Sequence, residues 1–293
     1  AMSRATTSVP VRLTRVFTGN LCRSLRTSGI GRFTARHLAQ RGWRVFGGVR
    51  RPEAIGGLPG VEPLRLDVTD DASVSAAVDA IVERMGRIDG LVNNAGGSVL
   101  GAAEEISIEQ ARALLDLNVL GVLRMSQAVL PVMRRQGSGR IVNISSVVGF
   151  LPAPFMAIYA ASKHAVEGLS ESMDHEVRQF GIRVALVEPG FTRTNIDAAA
   201  PRADHPLSDY HAARERVSTT IASQIAGAPD PTGVARTIER ALDARRFARM
   251  PVGGEARVLS TLRKGMPAAL FDRSLRRTYH LDGRPTSSVG GAK

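Results

Sequence analysis

The sequence has a single cysteine, few aromatic residues and no long apolar run. The one cysteine, Cys22, can form neither an internal disulfide nor a cysteine-built zinc site. No apolar run approaches the ~18 residues that a membrane-spanning helix requires, and the apolar fraction of 43% is ordinary for a globular protein. We therefore expect a cytoplasmic protein with no membrane span and no metal site.

Acidic residues are absent from the first 52 positions, which contain eleven arginines, so Glu53 is the first acid. The net charge is +12, and only three of the 39 basic residues are lysines. Three explanations compete: an arginine-rich transit sequence, a nucleic-acid surface, or a basic composition that partly faces an anionic ligand. The arginines lack the interleaved aromatic residues of a base-stacking surface, and the transit signature overlaps a strand that the fold needs. The third explanation is favoured, and no nucleic-acid partner is expected.

Short apolar runs alternate with helical periods from Val11 to about Val252. Parallel strands covered on both faces have this pattern, and helices of this length between strands imply right-handed βαβ crossovers. The sequence therefore predicts an α/β fold with a doubly wound parallel sheet. The predicted strands are Arg15–Thr18, Trp43–Val49, Pro63–Leu66, Ile88–Val92, Arg140–Ser145, Arg183–Val187 and Arg245–Val252. The predicted helices are Arg32–Arg41, Ala72–Arg84, Ile108–Arg135 (two helices or one bent helix) and Ala157–Phe180.

The stretch Thr18–Gly31, TGNLCRSLRTSGIG, has the ingredients of a phosphate-binding turn between a strand and a helix. A tight dinucleotide turn places its glycines within about six residues, because its N–H groups must converge on one pyrophosphate. Here Gly29 and Gly31 are close together, whereas Gly19 lies ten residues before Gly29. The start of the following helix can still hold a phosphate at its N-terminus. Residues within Asn20–Arg26 are expected to form a bulge at the turn.

Tyr159 and Lys163 lie in YAASK, inside a strongly predicted helix. A spacing of four residues puts both side chains on one face, one turn apart. An ammonium close to a phenol favours the phenolate and lowers a pKa that starts near ~10, which yields an acid–base group usable near neutrality. The pair alone is weak support, because Tyr and Lys are often four apart on solvated helices.

Polar residues near the ends of two other predicted elements accompany this pair. Ser146 follows a buried strand, thirteen residues before Tyr159, and a serine there faces the crevice in which such sheets bind ligands. Asn93 and Asn94 end another strand, next to small residues. Asn118 interrupts an apolar helix, and on sequence alone a local helix bend bonded to the backbone is the favoured explanation for it.

These motifs occur in one order over nearly 180 residues: TG…SGIG, LDV at 66–68, NNAG at 93–96, Asn118, Ser146, YxxxK and the PG of VEPGFTRT. This arrangement resembles the short-chain dehydrogenase/reductase superfamily, in the branch with an Asn–Ser–Tyr–Lys tetrad. The stretch Ser145–Leu169 and the tail from Met250 are most similar to bacterial relatives of 17β-hydroxysteroid and retinol dehydrogenases. The resemblance covers roughly residues 11–280 and implies a Rossmann-type fold.

The resemblance also implies roles for individual residues. Tyr159 would exchange a proton with the substrate oxygen, Lys163 would lower the pKa of Tyr159 and hold the nicotinamide ribose, and Ser146 would position the substrate oxygen. Asn118 would hold a water that links Lys163 to solvent. The implied catalytic residues are thus Asn118, Ser146, Tyr159 and Lys163. The implied cofactor-binding residues are Gly19, Ser28, Gly29, Ile30, Gly31, Arg50, Asp67, Val68, Asn94, Ala95, Gly96, Tyr159, Lys163, Pro189, Gly190, Thr192 and Thr194.

NADP(H) is the favoured cofactor, with NAD(H) as the alternative. NAD-preferring relatives place an acid at the end of the second strand to bond the ribose 2′-OH. Here that strand ends Gly47-Gly48-Val49-Arg50-Arg51, without a carboxylate. Arg50 can instead clamp a 2′-phosphate through two hydrogen bonds, although Arg50 and Arg51 are also explained as solvated loop charges. Relatives have three residues between the first glycine and the GxG, whereas this chain has nine, a departure that affects how closely the glycine N–H groups can approach the cofactor.

The expected function is NADP(H)-dependent interconversion of a ketone or aldehyde and an alcohol on a lipophilic small molecule. The alternatives are a non-catalytic scaffold of the same fold and, third, a nucleic-acid-binding protein. Residues 11–252 are expected to form one cofactor-binding and catalytic domain that includes a substrate-covering segment at 191–231. Residues 253–286 would form a helical, substrate-covering extension, and residues 1–10 and 287–293 would be flexible tails. Apolar outer faces at Leu114–Val132 and Val166–Val177 predict a homodimer or homotetramer.

Overall fold

The computed structural model describes residues 14–18, 29–55, 57–194 and 200–281, and these residues form one seven-stranded parallel sheet. The strand order is β3-β2-β1-β4-β5-β6-β7, so the chain winds outward in both directions from β1 and β4. This arrangement confirms the predicted doubly wound α/β fold. The strands are β1 (Thr14–Thr18), β2 (Arg44–Val49), β3 (Val61–Arg65), β4 (Gly90–Asn93), β5 (Gly139–Ile144), β6 (Ile182–Pro189) and β7 (Ala248–Val252).

Helices cover both faces of the sheet, because successive side chains of a strand point to opposite sides. The helices are α1 (Ile30–Gln40), α2 (Asp71–Met85), α3 (Ile108–Leu115), α4 (Gly121–Gln136), α5 (Ala157–Val177), α6 (Ser208–Gly227), α7 (Thr232–Leu242), α8 (Gly254–Gly265) and α9 (Ala268–Thr278). Leu91 and Ile141 pack with α2, α4 and α5 on one face of the sheet. Their neighbours Val92 and Val142 pack with α1 and α7 on the other face.

The segment Ile108–Arg135, predicted as two helices or one bent helix, forms the two helices α3 and α4, which are joined by a π-helical turn, Asp116–Leu120. The strand predicted at Pro63–Leu66 is β3, which begins two residues earlier and contains Pro63. Because β3 lies at the edge of the sheet, the missing N–H of Pro63 costs no hydrogen bond to a further strand.

Helix α7 was missed by the sequence prediction. It follows Pro231 directly, after a polar, proline-punctuated segment that has no comparable apolar pattern. The pattern was present, because Val234, Ile238 and Leu242 recur every four residues and all three are buried. Together with α1, this helix covers one face of the sheet.

One helical segment, Ile108–Gln136, is long and apolar enough to cross a membrane by length and composition, with a mean hydropathy of 1.4 in an 18-residue window. Such a segment is also typical of a core helix of a globular protein. Its inner face packs against the sheet through Met125 and Val129, which are fully buried. Arg124 in its middle forms ion pairs with Asp71 and Asp116. These contacts are those of a helix packed within the fold.

Candidate active site

A large cavity of about 1180 Å³ opens at the carboxyl ends of β4, β5 and β6. Open α/β sheets bind ligands at this edge, where the strand order reverses. The cavity is bordered by the first turn of α1, by α5, and by residues of α6, α8 and α9. Three of the four predicted catalytic residues, Ser146, Tyr159 and Lys163, line it.

Tyr159 and Lys163 project from one face of α5, as their spacing predicted. The Lys163 Nζ lies 5.9 Å from the centre of the Tyr159 ring and donates a hydrogen bond to the backbone oxygen of Ile144 at 3.0 Å. Burial lowers the pKa of Lys163 to about 8, and the charge of Glu167 opposes that shift. The ammonium is therefore cationic at neutral pH and close enough to favour the Tyr159 phenolate.

Ser146 begins the turn that leads from β5 to α5. Its backbone is extended, and its Oγ accepts a hydrogen bond from the N–H of Val148 at 3.3 Å, which caps the 3₁₀ turn Val147–Gly149. A hydroxyl keeps a second lone pair and its own proton when it accepts one bond. Ser146 can therefore still donate a hydrogen bond to an oxygen in the cavity.

Asn118 is fully buried in the π-helical turn between α3 and α4. Its Oδ1 accepts from the Gly97 N–H at 2.9 Å, and its Nδ2 donates to the Gly97 oxygen at 3.0 Å and to Ser162 Oγ at 2.9 Å. The helix deviates here, as the explanation favoured on sequence expected, but the backbone that binds the side chain is that of Gly97, 21 positions away, and not that of its own helix. Asn118 is also near the ammonium: a Cβ on Gly96 would lie 3.2 Å from Asn118 Oδ1 and 3.6 Å from Lys163 Nζ.

Asn93 and Asn94, considered together in the sequence, have different environments. Asn94 lines the cavity. Asn93 is buried and donates from Nδ2 to Asn143 Oδ1 at 2.8 Å, and Asn143 donates to Ser170 Oγ at 2.8 Å. This chain of amides ties β4, β5 and α5 together behind the catalytic residues. Asn143 and Ser170 were missed by the sequence prediction, although a polar residue near the end of a buried strand was a usable signal.

One end of the cavity has the features of a phosphate-binding site. The first turn of α1 meets it through Gly29, Ile30 and Gly31, so N-terminal backbone N–H groups are available to an anion. Gly29 has φ of 152°, a conformation that favours glycine, and no atom lies within 4 Å of its missing Cβ. The predicted residues Gly19 and Ser28, and the bulge within Asn20–Arg26, lie outside the described residues.

The remaining predicted cofactor residues are divided between two cavities. Arg50, Asn94, Gly96, Pro189, Gly190, Thr192 and Thr194 line the large one. Asp67, Val68 and Ala95 line a smaller cavity of about 210 Å³, and Arg50 borders both. Burial raises the pKa of Asp67, but hydrogen bonds from Thr69 and the charge of Arg50 outweigh it and lower that pKa below its usual value. Asp67 is thus an anion bound by its own loop.

The other end of the cavity is mostly apolar. Leu151, Pro152, Met156 and Phe191 line it, whereas the nearby Phe155 packs edge-on against Tyr210 with ring centres 6.1 Å apart. Residues of α6, which lies in the predicted substrate-covering segment, and of α8 and α9, which lie in the predicted C-terminal extension, line this end as well. Their apolar lining residues are Ile221, Ile225, Leu259, Phe271 and Leu275, and Tyr279 lines it directly after α9.

A buried glutamate attaches the covering segment to the rest of the site. Glu105, fully buried before α3, accepts from the Leu207 N–H at 2.8 Å and forms an ion pair with Arg214 of α6. Tyr210 Oη donates to Glu104 at 2.9 Å. These bonds hold the start of α6, whose later residues line the cavity. Nothing in the sequence pattern singled out Glu105 for this contact.

Three curated proteins illustrate what the chain is similar to. It is 44% identical to a 3-ketodihydrosphingosine reductase from Bacteroides thetaiotaomicron over 56% of this chain and 60% of that protein. It is 40% identical to human 17-beta-hydroxysteroid dehydrogenase type 1 over 57% of this chain and 55% of that one. Human retinol dehydrogenase 5 is 34% identical over 85% of each chain. The first two matches thus span a little over half of the relatives' lengths.

Solved structures give the same result over more of the chain. A short-chain dehydrogenase from Streptomyces avermitilis superposes with a TM-score of 0.76 at 36% identity, covering 91% of this chain and 98% of that one. A short-chain dehydrogenase from Burkholderia cenocepacia, solved in complex with NADP, has a TM-score of 0.71 at 25% identity, covering 90% and 98%. The family model for short chain dehydrogenases matches residues 26–204. The chain therefore belongs to the short-chain dehydrogenase/reductase family, whose members oxidise CH–OH groups or reduce C=O groups.

Proposed function

We propose that this protein is an NADP(H)-dependent oxidoreductase that interconverts a ketone or aldehyde and an alcohol on a lipophilic small molecule, with Tyr159 as the general acid/base. The observation that carries the proposal is the grouping of Tyr159, Lys163 and Ser146 at one point of a large cavity. Ser146 can donate to a substrate oxygen, and Tyr159 can give that oxygen a proton or remove one. The buried ammonium of Lys163 stabilises the phenolate that remains after proton donation.

The residues at the other end of the cavity fit a nicotinamide dinucleotide. When bound, that cofactor supplies or accepts the hydride. Gly29, Ile30 and Gly31 offer the start of α1 to its pyrophosphate, and Lys163 can hold the nicotinamide ribose. Thr192 and Thr194 border the same cavity and would bind the carboxamide. Asp67 and Val68, in the neighbouring small cavity, would border the adenine.

The preference for NADP(H) rests on Arg50. Arg50 borders both cavities, and Arg51 lines the large one. A guanidinium there can bind a 2′-phosphate through two hydrogen bonds. No Asp or Glu stands at the end of β2 to bind a free 2′-OH. The NADP bound to the Burkholderia cenocepacia relative supports this choice.

A lipophilic substrate fits the apolar part of the cavity. Leu151, Met156, Phe191, Leu259 and Leu275 approach it from four separate parts of the chain. The names of the relatives, a retinol dehydrogenase, a 17-beta-hydroxysteroid dehydrogenase and a 3-ketodihydrosphingosine reductase, refer to lipophilic molecules. The proposal also includes a cytoplasmic location and self-association.

Two measurements on the purified protein test this function. Titration with NADPH, followed by nucleotide fluorescence, should give saturable binding, and a panel of steroid, retinoid and aliphatic ketones should give NADPH consumption with at least one member. NADPH binding without turnover of any compound would support the proposed cofactor and reject the reduction of these three classes of ketone. Absence of saturable binding would favour the non-catalytic scaffold, and tight, steeply salt-dependent DNA binding would favour the nucleic-acid protein.

A further inference from the structure

Two glutamates that the proposed reaction does not use are buried behind the active site. Glu167 lies on α5, one helical turn after Lys163, and is 4% exposed; Glu188 lies on β6 and is 2% exposed. Isolated buried carboxylates are costly unless they are paired or neutralised. These residues therefore need either enough positive charge beside them or a proton.

The positive charge beside them comes from Arg249 on β7. Its Nη1 forms an ion pair with Glu167 Oε2 and lies 3.6 Å from Glu188 Oε1. Its Nη2 binds Glu171 at 2.8 Å, and the Glu171 side chain is 53% exposed. One guanidinium thus faces three carboxylates, two of them buried. Together with the Lys163 ammonium, one turn before Glu167, it supplies two positive charges to three carboxylates, which leaves one carboxylate unbalanced.

The hydrogen bonds of the two buried glutamates are also incomplete. Among the described residues, neither Glu167 Oε1 nor Glu188 Oε1 has a regular hydrogen-bond partner. The two carboxyl groups lie within hydrogen-bonding reach of each other, but ionised carboxylates only accept. A single proton between them would give each a partner. The described residues contain no group of three His, Cys, Asp or Glu side chains that could hold a metal ion in place of that proton.

The surroundings of the two groups differ and favour one site for the proton. Burial raises the pKa of Glu188 to about 7, and the adjacent charge of Glu167 adds to that rise. Burial also raises the pKa of Glu167, but the Ser145 hydroxyl and Arg249 oppose this rise. Ser145 is close to Glu167, because a Cβ on Gly149 would lie 2.5 Å from Ser145 Oγ and 2.9 Å from Glu167 Oε1. Glu167 therefore has the better support as an anion.

We propose that Glu188 is a neutral carboxylic acid that donates a hydrogen bond to Glu167, and that the single negative charge of this pair keeps Lys163 cationic in the working enzyme. Glu167 and Glu188 are then positioning residues, which act on the reaction through Lys163. The role in catalysis rests on the proposed function, whereas the shared proton does not.

Glu167 is the charged group that stabilises the Lys163 ammonium. Burial disfavours this ammonium, and the charge of Glu167 opposes that effect. The other titratable or charged groups facing Glu167 are His164 and Glu171 on α5, Glu188 on β6 and Arg249 on β7. The neighbouring turn after β5 contributes the neutral Ser145. If either glutamate of the pair is made neutral, the other can carry the charge, since the proton is shared.

The proton can be observed without any substrate. In protein labelled with ¹³C at the glutamate carboxyl groups, we expect one signal of a protonated carboxyl at pH 6.5 that titrates near neutrality. The protonated-carboxyl signal should be absent in Glu188→Gln and in Glu167→Gln, because the remaining glutamate of the pair is then ionised. Glu171→Gln removes another partner of Arg249 at the surface and should keep the signal. Absence of a protonated carboxyl in the unmodified protein, or its loss in Glu171→Gln, would overturn the shared proton.

The effect on Lys163 can also be observed directly, because the chain has only three lysines. Labelling lysine with ¹³Cε gives a spectrum in which the Lys163 signal is assigned by its loss in Lys163→Met. In Glu167→Gln/Glu188→Gln the Lys163 titration should move to lower pH by about 1 unit, with a much smaller shift in either single variant. The alkaline fall of kcat/KM should move with it. An unshifted Lys163 in the folded double variant would leave the pair with a purely structural role and reject this proposal.

Discussion

The Lys163 ammonium lies 5.9 Å from the centre of the Tyr159 ring and donates its hydrogen bond to the backbone oxygen of Ile144. The lysine is thus held by the end of β5, the strand that also leads into Ser146. This hydrogen bond joins the lysine to the sheet. The two residues can therefore be altered separately, and their separate effects can be compared.

Replacement of Tyr159 by Phe should nearly abolish turnover, because it removes only the transferable proton. NADPH affinity should stay within a few-fold, since the ring and Lys163 remain. Lys163→Ala should instead weaken both turnover and NADPH binding, because both of its roles are lost. Steady-state kinetics and fluorescence titration distinguish the two patterns. Full activity of Tyr159→Phe would remove that residue from the mechanism.

Lys163 should decrease stability at neutral pH. Its pKa of about 8 in the folded protein lies below its ordinary value of 10.5, so the unfolded chain binds the extra proton between these two pH values. The free energy of unfolding should therefore rise as pH increases from about 8 to 10.5. A shift of this size corresponds to ~3 kcal/mol, and loss of the hydrogen bond to Ile144 offsets ~1 kcal/mol.

Lys163→Met should accordingly be more stable than the unmodified protein at pH 7, by roughly 1–2 kcal/mol, and inactive. Urea unfolding of both proteins at pH 7 and pH 10 measures the difference, which should shrink at the higher pH. A variant less stable at both pH values would show that Lys163 stabilises the fold.

Arg50→Asp should shift cofactor preference from NADPH towards NADH. The new carboxylate repels a 2′-phosphate and can accept a hydrogen bond from a 2′-OH. The ratio of kcat/KM for the two cofactors is the measurement, and Arg51→Asp is the matched comparison from the same cavity. A shift with Arg51→Asp alone would transfer the role to that residue. An unchanged ratio in both variants would point to the arginines of the bulge, Arg23 and Arg26.

The protein should self-associate through the outer face of α3 and α4. Leu115 and Leu120 are exposed there, Leu120 by 44%, and apolar side chains in such positions are typical of contacts between subunits. Light scattering at micromolar concentration should give a dimer or tetramer. Leu120→Glu should reduce the mass, whereas Val258→Glu, at a 57% exposed position on α8, should not. A monodisperse monomer of the unmodified protein would reject the prediction.

Shortening the glycine loop should tighten NADPH binding. Deleting six residues from Asn20–Arg26 restores three residues between Gly19 and Gly29, so the backbone N–H groups can close around the pyrophosphate. Each tenfold gain in affinity corresponds to ~1.4 kcal/mol. NADPH dissociation constants of the two proteins decide the question: weaker binding would show that the bulge itself contacts the cofactor, and no change would place it clear of the cofactor.

The sheet and the placement of Ser146, Tyr159 and Lys163 were predictable because they depend on local patterns. Short apolar runs define the strands, and a four-residue spacing fixes two side chains on one helical face. The anchoring of Glu105 and the pairing of Glu167 with Glu188 were not predictable in this way. Each joins residues far apart in the chain, and a lone glutamate in a helix looks the same whether it is buried or solvated. The π-helical turn at Asn118 was predictable only in part. A polar residue within an apolar helix indicates a bend, but the sequence does not show that Gly97 is its partner.

The elements that line the cavity differ in how deeply their side chains are buried in the core. Ser146, Tyr159 and Lys163 stand on β5 and α5, whose side chains are part of the central core. The wall contributed by α9 rests on a helix without a fully buried side chain. Changes to Phe271, Ser274 or Leu275 can therefore alter the size and polarity of the cavity without changing the proposed acid–base residues. The chain is in this sense a two-part scaffold for redesign, with a fixed chemical step and an exchangeable pocket lining.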